Sequence, residues 1–251
     1  MTNELLLKKV KCLLRMYDDG MLGGAIMPED ALIGVVPRDR LPDVLILGMS
    51  LNYQRSSYAL WRSIADAYRD ESSRWIFEPQ SVADGDRHAL KDILTHSKIV
   101  LQPNRHPDIW IRVSSGISNS SSTRKVMGLL ESVEFDIAGL KTMVQITRKK
   151  EFPYLSGPKI FNYWLYVLEK YSGIKWRSRA LTTVAPDTHV LQATVKLGLC
   201  PADVLNGREE ERQRAAQAWK ELLSGTGIAP IDVHTPLWLW SRAGSPPLIC
   251  G

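Results

Sequence analysis

The strongest constraint on this chain is the spacing of its apolar residues. They recur every three to four positions in short stretches, and Gly, Pro and Ser break those stretches. Leu5, Leu6, Leu7, Val10, Leu13 and Leu14 predict an amphipathic helix over residues 4–17, ended by Gly20, Gly23 and Gly24. Pro28 followed by Glu29 and Asp30 opens a second, short helix. Another apolar stretch runs from Pro42 to Leu51, and Tyr58, Leu60, Trp61, Ile64, Ala65 and Tyr68 predict a helix over 57–69. The longest uninterrupted apolar run, 44–51, is far below the roughly 18 residues a membrane span needs. A mostly α-helical, compact protein is therefore expected, with two lobes built from discontinuous parts of the chain.

Composition narrows this further. The chain has 251 residues, 44% of them hydrophobic, which is enough for a large core without a metal or disulfide staple. The lysines of the first fifteen residues lie inside the apolar pattern rather than ahead of it, so no signal-peptide layout is expected. Three cysteines, Cys12, Cys200 and Cys250, with no Cys-x-x-Cys, suggest a reducing cytoplasm and no disulfide framework. Eight tryptophans and a net charge of +5 permit an acidic partner but do not require one. The five histidines show no metal-ligand spacing, and no metal is expected.

Residues 70–122 are less regular, with Pro79, Gly85, Pro103, Pro107 and Gly116. Ile109, Ile111 and Val113 alternate with polar neighbours as in a short strand. The run Ser118 to Ser122 suggests an exposed turn or the cap of the next helix. Helical stripes resume at Val126, Leu129, Leu130 and Val133, and at Leu140, Met143, Val144 and Ile146. Helices are also expected over 160–171, from Asp187 to about Gly198, over 208–223 and over 233–242.

Chemistry concentrates after residue 147. Arg148, Lys149 and Lys150 precede Leu155-Ser156-Gly157-Pro158-Lys159, a turn that opens a helix. Backbone amides at such a turn, with the helix dipole behind them, suit a phosphate. A lysine at that positive end is one route to a nucleophilic amine. Asp187 is placed to cap the helix that follows it, which fixes its carboxylate and keeps it ionised.

These residues resemble a known family. The hairpin 155–159, the segment Pro186-Asp187-Thr188-His189-Val190 and Leu197-Gly198-Leu199 are similar to the helix-hairpin-helix DNA glycosylases, the endonuclease III-like enzymes. Gln217-Ala218-Trp219, Thr226-Gly227-Ile228-Ala229-Pro230 and His234-Thr235-Pro236-Leu237-Trp238-Leu239 are similar to the archaeal 8-oxoguanine glycosylase branch. The likeness covers about residues 135–242, is weaker over 43–68, and is missing from 70–122. The hairpin has one glycine where the family has two, and the interval from Lys159 to Asp187 is longer than usual.

The resemblance implies a two-lobed helical fold with the active site in the cleft between lobes. It implies one glycosylase unit over 1–251, with N-terminal helices in 1–134, the hairpin and catalytic region in 135–200, and C-terminal helices in 201–251. Lys159 would be the nucleophile at the sugar C1′, and Asp187 would activate it and stabilise the developing positive charge. Ser156, Gly157, Pro158, Lys149 and Lys150 would contact the DNA backbone. Asn52, Tyr53 or Gln54 would fill the gap left by a flipped base. The extra residues before Asp187, with Lys175, Arg177 and Arg179, form a loop near the DNA or a solvated loop. Trp164, Trp238 or Trp240 would stack on the base, with core packing expected for at least two of the three.

No iron–sulfur cluster is expected, and the hairpin could hold a monovalent cation. The expected partner is duplex DNA with a damaged or modified base, met by a monomer. The expected activity is N-glycosidic cleavage with abasic-site lyase chemistry. An oxidised purine such as 8-oxoguanine is the implied substrate, and a hypermodified cytosine removed from phage DNA is the alternative. A non-catalytic DNA-binding protein with the same fold, or a protein-interaction module, are the competing readings from other classes.

Overall fold

A computed structural model describes residues 2–22 and 27–249 of the chain. All regular structure among them is helical, and the lone backbone bridge joins Asp136 to Arg177. No described helix is long and apolar enough to cross a membrane. Helix α1, Asn3–Asp18, starts where the Thr2 hydroxyl accepts the Leu5 amide (3.4 Å) and buries Leu6, Val10, Leu13 and Met16 along one face. Gly20, at φ 71°, follows its C-terminus, while Gly23 and Gly24 lie outside the described residues. Cys12 on α1 is disulfide-bonded, and Cys200 is a buried free thiol. That corrects the disulfide-free reading and removes the cysteine argument for a reducing compartment; Cys250 lies outside the described residues.

The Pro28 helix is a 3-10 turn, Pro28–Leu32. The apolar stretch after it is α2, Leu41–Ser50, buried along its whole length. α3, Ser57–Arg69, packs Trp61 and Ile64 against Gly48 so closely that a Cβ there would meet the Trp61 ring at 2.5 Å. The segment with no resemblance folds as a 3-10 turn, Glu71–Phe77, and three helices: α4 (Pro79–Asp84), α5 (Arg87–His96) and α6 (His106–Ser118). The strand expected at Ile109–Val113 is thus part of a helix. Ile109, Trp110, Val113 and Ile117 share its buried side, and Pro107 sits at its start. A short alternating window could not show that 3.6-residue period.

α7 (Val126–Ser132) and α8 (Ile137–Thr142) follow, and α8 runs into a π turn, Met143–Thr147. α9, Pro158–Ser172, ends at the left-handed Gly173. α10 (Thr188–Leu197), α11 (Glu209–Leu223) and α12 (Pro230–Arg242) complete the chain.

The chain divides into two compact units, Met27–Ser178 and Met1–Ile26 with Arg179–Gly251. The divisions fall at 26/27 and 178/179. The first unit has one continuous core around α2, with Trp61, Phe77, Trp110, Phe152, Phe161 and Trp164 fully buried or nearly so. In the second, α1 packs on α11 and α12, and α10 packs on α12. Trp219 is fully buried there, with its indole N–H donated to Thr194 (2.8 Å).

Candidate functional site

Within the first unit the order from Ile137 to Ser172 is helix, hairpin, helix. The hairpin closes on its own backbone: the Ser156 amide donates to the Phe152 carbonyl (3.0 Å) and the Gly157 amide to that of Tyr154 (3.0 Å). Those two amides therefore do not face a phosphate, contrary to the sequence reading. The donors left over are one step further on. Phe161 donates to the Gly157 carbonyl (2.9 Å), Pro158 has no N–H, and no side chain caps α9. The amides of Lys159 and Ile160 thus have no acceptor among the described residues. Gly157 is tightly placed, since a Cβ would lie 3.2 Å from the Tyr154 carbonyl. Lys159 is exposed at the second position of α9.

The turn after α2 meets this hairpin. Tyr53 stacks on Tyr154, centroids 4.9 Å apart at 24°. The Arg105 guanidinium, just before α6, lies 5.3 Å from the centre of the Tyr154 ring. Arg55 donates to the Ile99 carbonyl (2.5 Å) and holds the adjoining loop, on which Leu101 is 59% exposed. Arg105, Leu101 and Tyr154 were not singled out from sequence. Tyr154 meets Arg105 and Tyr53 from about 50 and 100 residues away along the chain, so no local spacing signals that contact. Of the three expected gap-filling residues, Tyr53 and Gln54 are exposed. Asn52 is tied into the turn, accepting the Ser57 hydroxyl (2.7 Å).

The positive charges of this region fall into two groups. Arg148 is bound to Glu151, Ser120 and the Gly116 carbonyl. Arg177 pairs with Glu134, and Arg179 with Asp232 (2.5 Å). Lys149, Lys150, Lys159 and Lys175 are exposed, with no carboxylate partner among the described residues. The loop before Asp187 is not wholly solvated: Trp176 is buried and donates to the Leu165 carbonyl (3.0 Å).

Behind α9 lies a carboxyl the sequence did not flag. Glu29 is fully buried; its Oε2 accepts the Tyr163 hydroxyl (3.0 Å), and its Oε1 has no partner among the described residues. Burial pushes its carboxyl up to about 7, opposed by the Glu29 backbone and Tyr163 hydrogen bonds. Tyr163 is one turn beyond Lys159, so this carboxyl supports the helix that carries the lysine. Next to it Asp30 accepts the Tyr171 hydroxyl (2.7 Å), and burial pushes both phenols up.

In the second unit Asp187 caps α10 as expected: Oδ1 accepts the Val190 amide (2.9 Å), and the residue is half-buried. The segment ahead of it is pinned twice. Arg212 donates to the Pro186 carbonyl, and the Ala185 amide donates to His234 Nδ1 (3.3 Å). Neither partner was expected from sequence.

The three tryptophans divide. Trp164 is fully buried in the core of the first unit, and Trp240 is 4% exposed with its indole N–H on the Pro246 carbonyl (2.7 Å). Both are core residues. Trp238 is half-buried, with the Arg242 guanidinium 4.9 Å from its ring centre and His189 edge-on at 5.7 Å. No family model, curated protein or solved structure matches this chain.

Proposed function

We propose that the chain is a DNA N-glycosylase with abasic-site lyase activity, built on the helix-hairpin-helix glycosylase fold. The observation that carries this reading is the start of α9. An exposed lysine sits there beside two backbone amides with no acceptor among the described residues, at an uncapped helix end, and the exposed Lys149 and Lys150 precede the same hairpin in the chain. Such an end favours a phosphate, and the lysine is held close to whatever the phosphate belongs to. Tyr53 and Leu101 add exposed apolar surface on either loop beside Tyr154, which suits a duplex with an unstacked base.

In the reaction the Lys159 Nζ forms a bond to C1′ as the N-glycosidic bond breaks. The base leaves with the electron pair of that bond and is protonated. Loss of an amine proton and opening of the sugar ring leave an iminium. Removal of a C2′ proton then expels the 3′ phosphate by β-elimination. Asp187 is the carboxylate assigned to lysine activation and to the positive charge at C1′, and its role as an N-cap holds it in place. Trp238 is the remaining candidate for stacking on the base. The substrate class is an oxidised purine, 8-oxoguanine first among them.

Borohydride trapping on duplexes carrying 8-oxoguanine, other modified bases including glucosylated hydroxymethylcytosine, and a preformed abasic site tests this. A covalent adduct lost in Lys159→Gln is expected. Base release that survives in Lys159→Gln but not in Asp187→Asn would assign a monofunctional, water-using enzyme instead. Normal duplex binding with no base released from any substrate would leave a DNA-binding protein.

A further inference from the structure

Arg148 stands in the basic run ahead of the hairpin, beside Lys149 and Lys150, which are the expected backbone contacts. Its surroundings give it other work. The guanidinium side chain is 21% exposed. Nη2 donates to the Gly116 carbonyl (2.9 Å), Nη1 to the Ser120 hydroxyl, and Nε and Nη2 to the two Glu151 oxygens. The Ser120 hydroxyl itself donates to Gly116 (2.5 Å). Gly116 is in the last turn of α6, whose final carbonyls have no partners within the helix. Arg148 thus caps α6 from another element, a placement that the helix dipole also favours.

The hairpin side of this contact is equally close. A Cβ on Gly116 would lie 3.1 Å from both Glu151 Cβ and the Phe152 ring. Phe152 is fully buried, and its carbonyl accepts the Ser156 amide that closes the hairpin. A chain of direct contacts therefore runs from the end of α6 through Arg148 and Phe152 to the turn before Lys159.

We propose that Arg148 is a positioning residue that clamps the hairpin to α6 and so fixes the start of α9 for the reaction, a role resting on the glycosylase reading above. It follows that the segment without resemblance, 70–122, serves the site by presenting the α6 carbonyls to this clamp. A lysine cannot replace the arginine there, because the site uses a fork of donors on four acceptor atoms of three residues rather than a point charge.

The test compares Arg148→Lys, Arg148→Ala and Gly116→Ala. The glycine variant displaces the hairpin without altering any charge, and remains informative if the alanine variant of Arg148 fails to fold. At saturating abasic duplex the expected result is an adduct-formation rate at least tenfold below native in all of them. The slope of log binding constant against log salt should stay native. Hydrogen exchange should speed at the Ser156 and Gly157 amides and stay native in α2. A native-like Arg148→Lys, with Arg148→Ala lowering the salt slope by about 0.9, would make Arg148 a phosphate contact and overturn the proposal. Native adduct rates and native exchange at the hairpin, with only a lower melting temperature, would overturn it too. A native protein that traps no abasic DNA would sink the glycosylase reading instead. The clamp would then stand or fall on the hairpin exchange alone.

Discussion

Two loops in this molecule each end on a helix that carries a candidate catalytic side chain, and they are held in opposite ways. The hairpin before α9 is closed by its own backbone and leaves the helix uncapped, with the Lys159 and Ile160 amides lacking acceptors among the described residues. The segment before α10 is pinned by Arg212 and His234, and its helix carries its own anion in the Asp187 carboxylate. An uncapped N-terminus is a vacancy for an external anion; a capped one has already filled it. The difference separates the two roles. The first end can receive a phosphate, and the second holds a carboxylate in place.

The largest expected effect breaks the comparison at its chemistry. Lys159→Gln should abolish borohydride adducts, while Asp187→Asn should lower their rate by about 10²- to 10⁴-fold with duplex affinity unchanged. Single-turnover trapping beside a binding titration reads both.

Next in size is the carboxyl behind α9. The folded-state pKa of Glu29 lies above its ordinary value of 4.5, near 7. Between those limits the folded chain keeps a proton that the unfolded chain releases. Stability therefore falls as pH rises from about 4.5 to 7, then levels off. Glu29→Gln cannot ionise, and should recover up to about 3 kcal/mol above pH 7 in denaturant melts, with little change near pH 4. Asp43, buried and raised to about 6, adds a slope of the same sign, so the variant should flatten the profile only in part.

A smaller effect isolates the cap. Asparagine can accept the Val190 amide as aspartate does, and alanine cannot. Asp187→Ala should therefore melt about 1 kcal/mol below Asp187→Asn. Equal stabilities would show that Arg212 and His234 alone hold the segment.

The least effect belongs to the exposed lysines. Removing Lys149 and Lys150 together should leave stability within about 0.5 kcal/mol of native. The salt slope of duplex binding should drop by about 1 to 2. An unchanged slope would place the phosphate elsewhere than at the start of α9.

What the sequence made legible follows from distance along the chain. The helices with strong periodic stripes, the Asp187 cap and the lysine at a helix start are local patterns, and local spacing reveals them. Ile109–Val113 was misread because five residues are too few to separate a period of two from one of 3.6. The role of Arg148 is not legible locally because its partners Gly116 and Ser120 lie 32 and 28 residues away. Trp164 and Trp240 carry no local mark that separates a core indole from a stacking one. Glu29 has an ordinary helix-start sequence around it, and its burial is decided by Tyr163, 134 residues on.

The unit that contains Asp187 is assembled from both ends of the chain, and this has a consequence for the order in which it can form. α1 emerges during synthesis well before the helices it packs on, α11 and α12. At about 5–20 residues per second its apolar face waits ten seconds or more for a partner. Meanwhile residues 27–178 can already gather their own core around α2. The side that carries the carboxylate is therefore the late-maturing one, and α1 is the segment most in need of shielding before it closes.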